Sequence, residues 1–340
     1  MIQKALTFDD ILLVPQYSNI KSRGEIDIGN NLDANLQLSL PIIASPMDTV
    51  CEGSMASHMS RNGGLGIIHR YNTIDEQVQH VASAKDNTNQ TVGAAVGVTD
   101  DFEERACALK DAGVDVICVD IAHGHHILMK RALVILKDMF GDSIHIMAGN
   151  VATKEGVCDL VRWGADSIRV GIGGGSICST RIQTGHGVPN LAAIMECAQA
   201  ELEHPVPLIA DGGIKNPGDI VKALALGADF VMVGSLLAGT IETPGDIIYS
   251  SDNSKYKTYR GMASKDAQMN WRGRVSSLEG VSTFVPLRGS VADILQGLDR
   301  SIRSGFSYSG AHNIQEFREK VKFVMQTSAG LTESRTHIIK

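Results

Sequence analysis

Cys178 stands within the glycine-rich segment Gly171–Gly187, GIGGGSICSTRIQTGHG, with Ser176, Thr180 and Arg181 beside it. A thiol among exposed backbone N–H groups and near a positive charge ionises more easily, and the thiolate is the nucleophilic form. The segment therefore predicts a covalent step at Cys178, with Arg181 close to the reacting edge. The other cysteines, Cys51, Cys107, Cys118, Cys158 and Cys197, read as small buried hydrophobes. Two further segments, ADGGI at Ala210–Ile214 and VGSLLAG at Val233–Gly239, have the glycine content of turns that offer backbone N–H groups to a phosphate. Asp211, inside the first, is placed to hold a ribose diol. DIAHGHH at Asp120–His126 carries spaced histidines. A catalytic metal needs three clustered ligands, and no second segment supplies them, so this loop reads as one that touches a ligand. GIGGGS has the glycine spacing of a dinucleotide fingerprint without its place at the start of a βαβ unit, and is set aside.

Positioning these groups requires a scaffold. Eight short runs rich in β-branched residues, each followed by helical periodicity, predict a parallel sheet: Pro41–Met47, Leu65–Arg70, Val92–Gly97, Val116–Ile121, His145–Asn150, Ser167–Ile172, Pro207–Gly212 and Phe230–Ser235. Their starts are 24, 27, 24, 29, 22, 40 and 23 residues apart. Eight near-equal units predict a single closed (β/α)8 TIM barrel, in which chemistry sits on the loops after the strands' C-terminal ends. Gly164 in GADS and Gly227 in GADF mark helix ends, where a positive φ is needed. The long interval after strand six holds Cys178. A second irregularity, about Ala238 to Ser290 after strand eight, includes the polar stretch Ser264–Glu279 and reads as a lid or binding loop.

The bulk composition sets limits. Of 340 residues, 43% are hydrophobic and 20% charged, enough for a sizeable core, and 35 are glycine. A net charge of -7 with no long basic run argues against nucleic acid as a partner. No C-x-x-C pair occurs, and no window approaches 18 apolar residues. The expectation is a reduced, cytoplasmic protein with neither an export signal nor a membrane span.

The ordered set TFDDILLVPQYS at Thr7, SPMDTV at Ser45, GIGGGSICSTR at Gly171, ADGGI, VMVGSLLAG and YRGM at Tyr259 resembles the IMP dehydrogenase and GMP reductase superfamily over nearly the whole chain. The resemblance implies a catalytic barrel spanning 1–340 with a mobile flap at 264–280. It also implies a purine nucleoside 5'-monophosphate (GMP or IMP) over the barrel mouth, its C2 attacked by Cys178. Phosphate would lie around Ser176, Gly213, Gly234, Ser235 and Tyr259, ribose at Asp211, Ser45 and Met47 in the same pocket, and the base at Gly261 and Met262. Asp120 and Asn150, with Gly171 and Gly173 nearby, resemble positions facing a nicotinamide. Carbonyls of Gly173, Gly175 and Cys178, with the tail TSAGLTES at Thr327, resemble a monovalent-cation (K+) site between the subunits of a homotetramer.

Which activity is implied turns on the insertions. Only residues 71–91 separate strands two and three, so the dehydrogenase's CBS module is absent there, although the core reaction does not need it. The dehydrogenase flap carries an adjacent Arg-Tyr pair that activates water, and none occurs between Met262 and Glu279, where Trp271, Arg272 and Arg274 stand instead. Thr180 and Glu279 resemble the reductase's proton-shuttling pair. Ile121 in DIAHG, IMAGNV and LAAIMECA also lean towards a GMP reductase using NADPH, whereas KTYRGM and TSAGLTES resemble dehydrogenases using NAD. An inactive purine-nucleotide-binding protein is the third reading, separated from both by turnover.

Overall fold

The computed structural model describes residues 4–85, 90–276 and 278–336. Ser277 of the expected flap, and residues 1–3, 86–89 and 337–340 of the expected 1–340 barrel, lie outside them.

Strand β1 (Ile11–Leu13) and a hairpin of β2 (Asn30–Asn31) and β3 (Gln37–Leu38) precede eight parallel strands. These are β4 (Ile42–Ala44), β5 (Leu65–Ile68), β6 (Val92–Val96), β7 (Val116–Asp120), β8 (His145–Val151), β9 (Ser167–Val170), β10 (Leu208–Asp211) and β11 (Phe230–Val233). They form a closed barrel, sealed where Val231 of β11 pairs with Ile42 of β4, so all eight expected runs are strands. Between them run α1 (Gly53–Arg61), α2 (Ile74–Ala84), α3 (Phe102–Asp111), α4 (Ile127–Phe140), α5 (Lys154–Arg162), α6 (Thr180–Thr184), α7 (Asn190–Cys197) and α8 (Pro217–Ala225). Helices α5 and α8 stop just before Gly164 (φ +109°) and Gly227 (φ +112°), as the GAD motifs predict.

A parallel strand covered on both faces must be apolar on both, hence the continuous β-branched runs. Barrel strands are buried throughout except for Asp120, Asn150 and Asp211, which lie at or next to the C-terminal ends of β7, β8 and β10. Ile43, Leu65, Ile67, Val116, Met147, Ile209, Phe230 and Met232 fill the interior. Each such side chain contributes about 1.5–3 kcal/mol when fully buried. Leu32 and Leu38 of the hairpin join that cluster and close the N-terminal mouth.

Beside the plug, His145 Nδ1 meets Asp33 Oδ2 at 2.8 Å and His145 Nε2 meets Ser167 Oγ at 2.8 Å. Ser167 is fully buried, so this Asp-His-Ser row is a structural pin rather than a catalytic triad. The hydrogen bond from His145 holds the Asp33 carboxyl below the usual aspartate value of 3.8. A depressed carboxyl pKa stabilises the fold above the unfolded-state pKa, and the contribution disappears as pH falls through the folded-state value. Asp33→Asn should therefore lower the Tm at pH 7, and the gap to the parent should narrow as pH falls below about 4. A gap independent of pH between 7 and 3 would rule out this linkage.

The insertion after β11 is more ordered than a loop. It contains an antiparallel sheet of β12 (Ile248–Tyr249), β13 (Lys255–Arg260) and β14 (Ser282–Pro286), with α9 (Lys265–Arg272) between β13 and β14. The sequence reading as a lid missed the sheet because only the alternating buried Lys257 and Tyr259 of β13 mark it, and lysine is an unusual inward residue. Helix α10 (Val291–Tyr308) then packs Leu295, Leu298, Ile302 and Phe306 inward, and Phe306 stacks on Phe317 of α11 (Ile314–Lys320) at 4.1 Å. Finally β15 (Phe323–Met325) pairs with β1, and α12 (Ser328–Glu333) follows. Among the described residues no helix is long and apolar enough to cross a membrane.

Candidate active site

At the end of β9, Gly171 takes φ +145° and passes so close to β10 that a Cβ there would lie 2.1 Å from the Asp211 carbonyl oxygen. This close approach turns the glycine-rich loop over the barrel mouth, where Cys178 is half-buried. The Cys178 N–H donates to Gly175 O (3.2 Å). The thiol donates to Thr180 Oγ1 (3.2 Å), and that hydroxyl donates to Glu279 Oε2 (2.8 Å). Backbone bonds set this approach: Ser179 N to Glu279 O (2.9 Å) and Val281 N to Ile177 O (3.0 Å), with Ser179 Oγ donating to Leu278 O (3.2 Å). A sulfur, a hydroxyl and a carboxylate in series can move a proton between the reacting atom and Glu279.

Arg181 departs from expectation. Its guanidinium donates to the carbonyls of Ile172 (3.3 Å) and Val188, and it does not line the cleft containing Cys178. The side chain packs over Gly173 and Gly187 instead, so it braces the loop. The reading of five buried cysteines also needs correction: Cys51, Cys118 and Cys197 are buried, Cys107 is exposed, and Cys158 is partly buried.

A cleft of about 270 Å³ is lined by Cys178, Thr180 and Glu279 together with Ser45, Met47, Ser176, Asp211, Gly213, Gly234, Ser235, Tyr259, Gly261 and Met262. The ends of β4, β10 and β11 and the inserted sheet thus converge on one space. Ser176 Oγ and the Tyr259 hydroxyl lie 3.3 Å apart beside Gly234, where a helical turn begins. Burial pushes the Tyr259 phenol up, so it remains a hydrogen-bond donor at neutral pH. The sheet is fastened over the barrel by Arg260, which donates from Nε and Nη2 to Asp48 Oδ2 (2.9 and 2.6 Å) and from its backbone N–H to Thr49 Oγ1 (3.1 Å).

A second cleft, about 380 Å³, shares Ser45, Met47, Cys178, Thr180, Asp211 and Met262 with the first and adds Asp120, Asn150, Gly171 and Gly173. Its floor is a charge network. Arg169, 6% exposed, donates to Asp120 Oδ1 (2.7 Å) and, from Nε and Nη2, to Asp211 Oδ2 (3.1 and 2.8 Å). Asn150 Nδ2 also donates to Asp211 Oδ2 (2.8 Å) and to Gly171 O (2.9 Å). All three donors to Asp211 use one oxygen, which orients the carboxylate and leaves Oδ1 for a ligand. Burial pushes the Asp120 carboxyl up, but Arg169 and Arg70 outweigh it and hold it below its usual value. Beneath them, burial pushes the Cys118 thiol to about 11, so it stays protonated.

Sequence reasoning overlooked Arg169, although a charged residue inside the apolar run SIRVGI was a signal. It also overlooked the Asp48–Arg260 pair and Tyr71, for which spacing gives none. Around the DIAHGHH loop, His125 pairs with Asp159 (2.9 Å) and the His126 ring accepts from Leu128 N at the start of α4. Among the described residues no group of three or more His, Cys, Asp or Glu is arranged for a metal ion.

A parallel barrel whose C-terminal mouth joins a cysteine, a proton-relaying pair and two adjoining clefts is an enzyme-like scaffold. Residues 5–337 match the model of the IMP dehydrogenase / GMP reductase domain, and the chain belongs to that family of oxidoreductases. It is 34% identical to inosine-5'-monophosphate dehydrogenase of Nitrosopumilus maritimus (strain SCM1) over 470 aligned positions, covering 98% of each chain. It is 34% identical to GMP reductase of Leishmania major, covering 99% of this chain and 98% of the relative. The crystal structure of a cysteine-to-alanine variant of GMP reductase from Trypanosoma brucei, in complex with guanosine 5'-monophosphate, superposes with a TM-score of 0.92 at 32% identity, covering 99% of this chain and 98% of that one.

Proposed function

We propose that the protein is a GMP reductase, converting GMP to IMP and ammonia at the expense of NADPH. The observation that favours this reading over a dehydrogenase is that no adjacent Arg-Tyr pair stands between Met262 and Glu279 to activate water; the Cys178–Thr180–Glu279 series at 3.2 and 2.8 Å serves the covalent step that either activity requires. GMP would occupy the first cleft, with phosphate at Ser176, Gly213, Gly234, Ser235 and Tyr259, ribose hydroxyls on Asp211, and the base between Met47, Gly261 and Met262. Glu279, through Thr180, takes the thiol proton as Cys178 Sγ bonds to purine C2, and returns it to the departing amine, so ammonia leaves and the base stays attached to sulfur. The second cleft suits a nicotinamide, because Asp120, Asn150 and the Gly171–Gly173 backbone offer acceptors and donors beside Cys178; the dinucleotide supplies the hydride to C2. Breaking the C2–S bond then frees IMP and regenerates Cys178.

The loop carbonyls of Gly173, Gly175 and Cys178 are part of this proposal as a K+ site. Gly175 O already accepts the Cys178 N–H, so a cation there would steady the loop carrying the nucleophile. These three carbonyls are fewer ligands than an oxygen-bound cation takes. The homotetramer is proposed with it, since a partner's tail would complete the shell. On its own chain, that tail is anchored by Gln326, which donates to the Asp9 and Asp10 carbonyls.

A second reading, an IMP dehydrogenase core oxidising IMP with NAD, is favoured by one contact. The Arg272 guanidinium lies 5.7 Å from the centre of the Tyr71 ring, bringing an arginine and a tyrosine together across the second cleft. Absorbance of reduced nicotinamide decides between them. With GMP and NADPH, the band should fall as ammonia appears. A rise with IMP, NAD and K+ instead, and no change with GMP, would overturn the reductase. Silence in both would leave a nucleotide-binding protein without turnover.

A further inference from the structure

We propose that Tyr71 is a positioning residue: its ring is the seat on which flap helix α9 docks, and docking holds Glu279 against Thr180 and Cys178. The inference rests on the roles given above to those three residues. The seat itself is rigid. Tyr71 follows β5, and its backbone N–H donates to His69 Nδ1 (3.1 Å); the buried His69 is held in turn by Glu52 through Nε2 (3.0 Å). Trp271 stacks on the Tyr71 ring with centroids 6.1 Å apart and planes at 16°, within the range of an offset aromatic pair. Arg272 from the flap and Arg70 from the seat lie 5.7 and 5.4 Å from the ring centre, both at cation–π distance.

Most of α9 lies at the surface. Only Ala267 and Gln268 of its eight residues are buried, while Met269 is 45% exposed. The N-terminal end is capped by Ser264 and tied to the Cys178 loop through Gly280. The C-terminal end meets the barrel through the Tyr71 contacts. Gln268 transmits that position onward: its Oε1 accepts from Ser276 N (2.9 Å) and Oγ (2.8 Å), folding the chain after Gly273 back along the helix. Leu278 and Glu279 then bond to Ser179, next to the nucleophile. Releasing Trp271 from Tyr71 frees this path, so Glu279 spends less time at Thr180 while the nucleotide cleft keeps its walls.

The test labels the ligand-free protein with N-ethylmaleimide and follows Cys178 by peptide mapping, with exposed Cys107 on α3 as internal reference. Tyr71→Leu and Trp271→Leu should each raise the Cys178 to Cys107 labelling ratio roughly three- to tenfold, the factor carried by one aromatic stack with its cation–π contacts. Tyr71→Phe, which keeps the ring, should label as the parent. In GMP turnover the two leucine variants should lose kcat while KM for GMP stays within about twofold, the split expected when a step after binding is affected. An unchanged labelling ratio in both leucine variants would overturn the seat. Faster labelling with unchanged kcat would overturn its link to Glu279, and Tyr71→Phe behaving like Tyr71→Leu would move the role to the hydroxyl. Should the parent turn over no GMP, the reductase reading falls, while labelling still decides the docking.

Discussion

Cys178→Ala should bind GMP with near-parental affinity and form no IMP. The sulfur contributes one atom among the many groups lining the nucleotide cleft, so binding survives its loss. Both halves of the proposed reaction pass through a bond to that sulfur, and removing a covalent nucleophile costs on the order of 10⁴-fold or more in kcat. Calorimetric titration with GMP and an assay for IMP separate the two effects. Turnover within about tenfold of the parent would remove Cys178 from the nucleophile's role.

Glu279→Gln is the second large effect. The amide preserves the size of the side chain and its reach to Thr180, but it cannot take a proton from the hydroxyl 2.8 Å away. General acid–base assistance is worth about 10²–10⁴-fold, and that loss should fall on the step that expels ammonia. Hydride delivery to C2 needs no proton from Glu279 and should change far less. With NADPH deuterated at the transferred position, the isotope effect on kcat should therefore shrink towards unity in the variant. A slowed variant with the parent's isotope effect would mean that Glu279 serves both steps equally. The pair of substitutions also distinguishes chemistry from scaffolding, since neither removes a side chain of the buried core.

The barrel was legible because each parallel strand is covered on both faces and must be apolar along its length. Eight runs of that kind, at the spacing of one strand and one helix, leave few other folds. The strand ends were legible for the complementary reason: Asp120, Asn150 and Asp211 interrupt apolar runs where those runs leave the core. Cys178 stood out through its glycine-rich setting. Glu279 was reached only by resemblance, since no periodicity links it to Thr180, 99 positions away. Arg181 misled because sequence proximity says nothing of direction, and the turn at Thr180 carries its guanidinium to the carbonyls of Ile172 and Val188.

By itself, then, the sequence determined the closed barrel, the mouth at which chemistry would occur and the family. These follow from hydrophobic patterning and from motifs that are local along the chain. Only the tertiary structure decided that Arg169 bridges Asp120 and Asp211, that Asp48 fastens β13 over the mouth through Arg260, and that Trp271 meets Tyr71. Each of these contacts joins residues 42 to 212 positions apart in the chain or links the flap to a distant loop. Such partners are chosen by the shape the folded barrel imposes, where a buried charge must find its counter-ion.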